Sequence, residues 1–113
     1  MEKIVNVMKC IGTPSAITQE DGNLIYKEIV DALENKYNIV LDFSDIESVI
    51  SPFLNNAIGK LYEKYSSEEI KQYVRIINVP EGKIPTINMV ISNAKRYYSN
   101  REEYKKTIRE VIN

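Results

Sequence analysis

The sequence predicts a small α/β domain in which a mixed β-sheet is covered by α-helices, largely on one side. Ile39, Val40, Leu41 and Phe43 form a short apolar run rich in strand formers, the pattern of a central strand with both faces covered. Segments with apolar residues at helical spacing alternate with such strands along the chain. Strands separated by covering helices favour right-handed crossovers and a layered sheet. The chain has 113 residues, 43% of them hydrophobic and 27% charged. That suits one compact domain over residues 1–113 with a modest core, and no linker, internal repeat or low-complexity tract divides it.

Each element has its own signal. Met1 to Ile11 places Ile4, Val5, Val7, Met8 and Ile11 around Asn6 and Lys9 and reads as a first strand, broken by Gly12, Thr13 and Pro14. From Asp21 to Tyr37, Leu24, Ile25, Ile29, Val30, Ala32 and Leu33 share one helical face, with Lys27, Glu28, Asp31 and Glu34 opposite. Asp21-Gly22 reads as turn chemistry at the start of that helix. The central strand follows, then a polar loop, then Ser51-Pro52. This pair is a helix-start signal: the serine hydroxyl accepts from an orphan backbone N–H, and proline at the first helical position has no N–H to leave unpaired. Phe53, Leu54, Ala57, Ile58, Leu61, Tyr62 and Tyr65 make the apolar stripe of the helix, leaving Asn55, Asn56, Gly59, Lys60, Glu63 and Lys64 outside. Ser66 to Lys71 is polar and reads as a loop or short helical turn. Tyr73 to Val79 is a third strand, ended by Pro80, Glu81 and Gly82. Ile87, Val90, Ile91, Ala94 and Tyr98 give a further helix, and Tyr104, Ile108, Val111 and Ile112 a short terminal one.

Composition narrows the chemistry. The chain has no histidine, which removes the usual general base, the commonest neutral metal ligand and the side chain that titrates near neutrality. No nucleophile–base pair, cofactor fingerprint or metal-ligand spacing is recognisable, so the expectation is a non-enzyme with no cofactor, no metal and no catalytic residues. Asp42 with Asp45 or Glu47 would be a weak Mg²⁺ signal without a phosphate-binding glycine loop. Cys10 is the single cysteine, so no internal disulfide forms and a cytoplasmic location is the default. There is no run of about 18 apolar residues and no charged-then-apolar leader, hence no membrane span or secretory signal is expected.

Charge is unevenly spread. Residues 1–47 carry nine acids against four lysines. From Lys95 onward, Lys95, Arg96, Arg101, Lys105, Lys106 and Arg109 stand against three glutamates, with Tyr97, Tyr98 and Tyr104 interleaved. Phosphate contacts and base stacking use such residues, so this segment is the basis of an alternative function as a nucleic-acid-binding or phage-conflict accessory protein. Glu102, Glu103 and Glu110 among the cations give the simpler reading, a salt-bridged helical surface.

The string LDFSDIESVISPFLNNAIGKL, preceded by QEDGNLIYKEIVDALENKYNIV, resembles the STAS-like family of unknown function, small bacterial and phage-associated domains related to the anti-sigma factor antagonists. The resemblance covers roughly Thr18 to Tyr98. Its most specific parts are Glu20-Asp21-Gly22, Leu41-Asp42-Phe43 and Ser51-Pro52-Phe53. Antagonists carry an Asp-Ser-Ser-Gly-Leu type sequence at this helix start, and a partner kinase phosphorylates the second serine. This chain has Ile50, Ser51, Pro52, Phe53 and Leu54 there. Isoleucine replaces the aspartate, the acceptor position falls on proline, and Ser51 remains one place earlier.

The resemblance implies a regulatory protein-interaction module whose partner is an anti-sigma-like or kinase-like ATPase. It places the partner surface on the loop and helix around Ser51, with Asp42, Ser44, Asp45, Ser51, Asn55, Asn56 and Lys60 as candidate contacts and Ser51 as candidate phosphoacceptor. Without it, Ser51 is a helix cap worth ~1 kcal/mol, Asp42 anchors a loop, and the asparagines and Lys60 are a solvated face. A phosphate on Ser51 would add about −1.5 to −2 charges beside a helix N-terminus, tolerated within the chain while repelling an acidic partner surface.

Overall fold

A computed structural model describes the backbone of residues 1–112 and the side chains of residues 1–99. Three strands, β1 (Glu2–Asn6), β3 (Asn38–Asp42) and β5 (Val74–Ile77), form a sheet in the order β1-β3-β5. A second, two-stranded sheet joins β2 (Ser15–Ala16) to β4 (Ser48–Val49). The α/β class is as the sequence predicts; the sheet expected to be mixed is parallel at every described pairing.

The register explains which face is covered. Val5, Leu41 and Ile76 lie side by side, as do Lys3, Ile39 and Val74, and the apolar members belong to the core or pack against it. On the opposite face Ile4, Val40 and Arg75 align. Ile4 is 63% exposed, Arg75 is exposed, and Val40 is buried between neighbouring strands, outside the core cluster. The helices therefore lie on one side, and the side chain of Lys3 reaches from the edge of that side to Glu28 at 2.9 Å.

The first strand is shorter than the periodicity suggests. Asn6 ends β1, and its side chain accepts from the Lys9 amide to cap α1 (Val7–Ile11), which closes at Gly12 with φ 77°. An asparagine followed six residues later by a glycine is a short-helix signature hidden inside an apolar stretch. Helix α2 (Gln19–Glu34) starts earlier than Asp21, because Thr18 caps it by accepting from the Asp21 amide at 3.1 Å. Gly22 is consequently not a turn residue. It lies buried in the first turns of α2, where an added Cβ would stand 2.5 Å from the Phe53 carbonyl oxygen. It is the point at which two backbones touch.

The chain from Ser51 to Lys64 is helical in three pieces: α3 (Ser51–Leu54), a π-helical turn (Asn55–Gly59) and α4 (Leu61–Lys64). The Lys60 amide donates to the Asn55 carbonyl at 3.1 Å, one residue farther back than in an α-helix. Phe53, Leu54, Ala57, Ile58 and Leu61 are all buried, so the stripe is where the sequence puts it. The outer face is not. Gly59 is buried, with its Cβ position facing Ala94 and Val90 of the C-terminal helix α6 (Ile84–Ile112) at 3.7 and 3.8 Å, while Asn56 and Lys60 turn to α2. The helix is held on both flanks, which narrows its solvent face.

Two further corrections concern the C-terminal half. Ser66 to Lys71 belongs to a true helix, α5 (Ser67–Tyr73), begun by a capping box between Ser66 and Glu69; this in turn shortens the third strand to β5. The two separate helices expected after Gly82 are one, α6 (Ile84–Ile112). No described helix is long and apolar enough to cross a membrane.

Candidate functional site

In open parallel sheets, loops and ligands gather where the strands end, and here β3 and β5 end at a polar clasp. One carboxylate oxygen of Asp42 accepts from the Ser44 amide at 2.9 Å, the Ser44 hydroxyl at 2.7 Å and the Asn78 side-chain amide at 2.9 Å. The Asn78 amide also donates to the Ser44 hydroxyl oxygen at 3.0 Å. Donation from Asn78 and Ser44 stabilises the charged form and holds the Asp42 carboxyl below the usual carboxylate range. Asn78 (φ 56°) and Asp45 (φ 65°) take left-handed backbone conformations, which asparagine and aspartate adopt more readily than other non-glycine residues. Asp42 thus does structural work, tying the loop after β3 to the end of β5.

The loop then crosses to the second sheet. The Glu47 amide donates to the Pro14 carbonyl at 2.8 Å and the Ile50 amide to the Ala16 carbonyl at 3.2 Å. Ser15 pairs with Ser48 and Ala16 with Val49, so Ile17 and Ile50 occupy the next positions on the two strands. Both are exposed, at 44% and 41%. Ile17 leads into the Thr18 cap of α2, and Ile50 is itself the N-cap of α3. Two helix starts are thereby set side by side, each preceded by an uncovered isoleucine.

This geometry corrects the role given to Ser51. The residue in the N-cap position is Ile50, extended at φ −129°, ψ 165°, and no side chain caps the helix. Ser51 is the first helical residue and Pro52 the second, because the β2–β4 ladder keeps Ile50 extended and delays the helix by one residue. The Ser51 hydroxyl makes no hydrogen bond among the described residues. Ser51 is half-buried and Pro52 exposed, so the described residues leave the helix start partly open.

The remaining candidate residues fall into separate groups. Asp42 and Ser44 are in the clasp, with Asp45 exposed beside it. Asn56 donates to the Asn23 side-chain oxygen at 3.1 Å and to the Gln19 carbonyl at 3.3 Å, and the Lys60 ammonium reaches the same Asn23 oxygen at 3.0 Å. Lys60 also lies 5.8 Å from the centre of the Tyr26 ring. These residues fasten the helix to α2. Asn55 is exposed on the other flank, in a shallow groove shared with Asn93 and Tyr97 of α6. Lys95 and Arg96 are exposed on α6, whereas the side chains of Arg101, Lys105, Lys106 and Arg109 lie outside the described residues. Ile17 and Ile50 were missed by sequence reasoning. Their only signal was an apolar residue directly before each helix start, which a hydrophobic staple inside the core would produce equally well.

A short parallel sheet with helices on one face and a hydroxyl-bearing helix start left open at its tip is a STAS-like α/β module. The chain belongs to the family described as the STAS-like domain of unknown function (DUF4325), whose model matches residues 21–82, from the first turn of α2 to the end of the turn after β5. No curated protein and no solved structure matches it.

Proposed function

We propose that this chain is a non-enzymatic regulatory module that docks a protein partner through the start of the Ser51 helix and the loop leading to it. The observation that carries this reading is the exposure of Ile50 and Pro52 on either side of Ser51, together with Ile17 on the neighbouring strand. The grouping of these apolar side chains at the tip of a sheet, rimmed by polar residues, supports a recognition surface there. The likeness to the anti-sigma factor antagonists favours an anti-sigma-like or kinase-like ATPase as the partner. The unengaged Ser51 hydroxyl supports a phosphorylation switch at the same place.

Affinity purification of the chain from its native cell, at low and high salt, tests the reading. Docking predicts a stoichiometric ATPase whose recovery differs between Ser51→Asp and Ser51→Ala. Equal recovery with both variants refutes the switch. Salt-labile nucleic acid in place of a protein refutes docking and supports recognition through Lys95, Arg96 and the basic residues beyond them.

A further inference from the structure

We infer that the partner docked at this surface is a protein presenting an apolar pocket rimmed by lysine or arginine side chains. This rests on the docking reading above and adds the partner's chemistry. Two observations meet here. Ile17 and Ile50 project from adjacent strand ends with Pro52 beside them, a small apolar knob. The segments that build the knob and its surroundings, residues 11–26 and 37–59, contain no lysine or arginine and five carboxylates: Glu20, Asp21, Asp42, Asp45 and Glu47. Asp42 is tied into the clasp, while Glu20, Asp45 and Glu47 are exposed. The cations that flank these segments in sequence are Lys9 of α1, Lys27 of α2, Lys36 in the turn after α2, and Lys60, whose ammonium is held against Asn23 of α2.

An apolar centre inside a rim of one sign selects its partner by charge, because opposite potentials steer encounter and like charges exclude the wrong surface. A second copy of the chain would bring carboxylates against carboxylates. Nucleic acid and anionic membranes would meet the same repulsion. A cation-rimmed protein pocket is the complementary occupant. With such a partner a phosphate on Ser51 strengthens attraction, the reverse of the effect expected against an acidic surface.

Two synthetic amphipathic helical peptides with the same leucine stripe, one flanked by lysines and one by glutamates, are titrated into the full chain carrying labelled isoleucine methyl groups. The lysine peptide is expected to move the methyl signals of Ile17 and Ile50. Its binding, measured at a temperature where every variant is folded, should weaken about 5-fold on Glu47→Lys and about 10-fold or more on Glu20→Lys with Glu47→Lys, and should weaken further with added salt. Equal binding of the glutamate peptide, or binding indifferent to the two reversals, overturns the charge inference and leaves docking standing. If neither peptide moves Ile17 or Ile50, or if Ile50→Asp binds the lysine peptide as the unaltered chain does, the docking reading itself fails and the inference with it.

Discussion

Replacing Gly22 by alanine would test the helix packing that holds the proposed docking surface in place. In an isolated helix the change would be favourable by ~1 kcal/mol, since glycine is a poor helix former. In this protein the new Cβ would stand 2.5 Å from the Phe53 carbonyl oxygen, 3.0 Å from Asn56 Cβ and 3.3 Å from the Ala57 amide nitrogen. Ordinary contact lies near 3.4–4 Å, so α2 and the Ser51 helix must separate by almost 1 Å. A backbone carbonyl cannot change rotamer to relieve this, which places the overpacking cost near the upper end of its range, ~3 kcal/mol. The net loss is ~2 kcal/mol, or a fall of about 8 °C in melting temperature for a domain of this size. Thermal denaturation followed by circular dichroism measures it, with Gly12→Ala as the comparison. Gly12 has φ 77° but nothing within 4 Å of its Cβ position, so it carries only the left-handed backbone cost, ~1 kcal/mol. The reasoning is refuted if Gly22→Ala is as stable as the parent, or loses less than Gly12→Ala.

Other predictions separate structural from functional polar groups. Thr18→Ala removes the cap of α2 and should cost ~1 kcal/mol, whereas Ser51→Ala should leave the melting temperature unchanged because its hydroxyl caps nothing; parallel melts of the two variants check this. Asp42→Asn should alter the acid limb of the stability profile. The folded carboxyl titrates below its unfolded value of about 3.9, so its contribution is complete above that pH and lost as pH falls through the lower folded value. Urea titrations between pH 7 and pH 2 should show the unaltered chain losing more stability over the acid range than Asp42→Asn. The exposed Lys64–Glu34 contact at 2.6 Å should contribute little, and Glu34→Gln should melt with the parent.

Much of the architecture is legible in the residues themselves. The central strand, the apolar stripe after Ser51 and the strand before Pro80 rest on local periodicity, and local periodicity is what a sequence displays most directly. What escaped depends on residues distant in the chain. Gly22 looks like turn chemistry until Phe53 is brought against it, 31 positions away. Asn56 and Lys60 look solvated until Asn23 is placed opposite them. The shift of the cap from Ser51 to Ile50 follows from pairing of β4 with β2, two residues each, too short a ladder to leave a pattern. The capping box of Ser66 and Glu69 was readable and outweighed by the polarity around it.

The candidate site divides along the same line. The location proposed for docking came from the Ser-Pro helix start and the family resemblance. Its apolar members did not, because an isoleucine is an ordinary core residue until burial is known. Ile25 and Ile50 are indistinguishable as letters, yet the first is fully buried and the second 41% exposed.

The central claim is that the open helix start is a docking surface. It is tested most directly by quantitative affinity purification, from the native cell, of the full chain and of Ile50→Asp, with both variants first shown to melt alike. A protein recovered in near-equimolar amount with the unaltered chain and depleted on Ile50→Asp is the predicted result; the same proteins in the same amounts from both would contradict it.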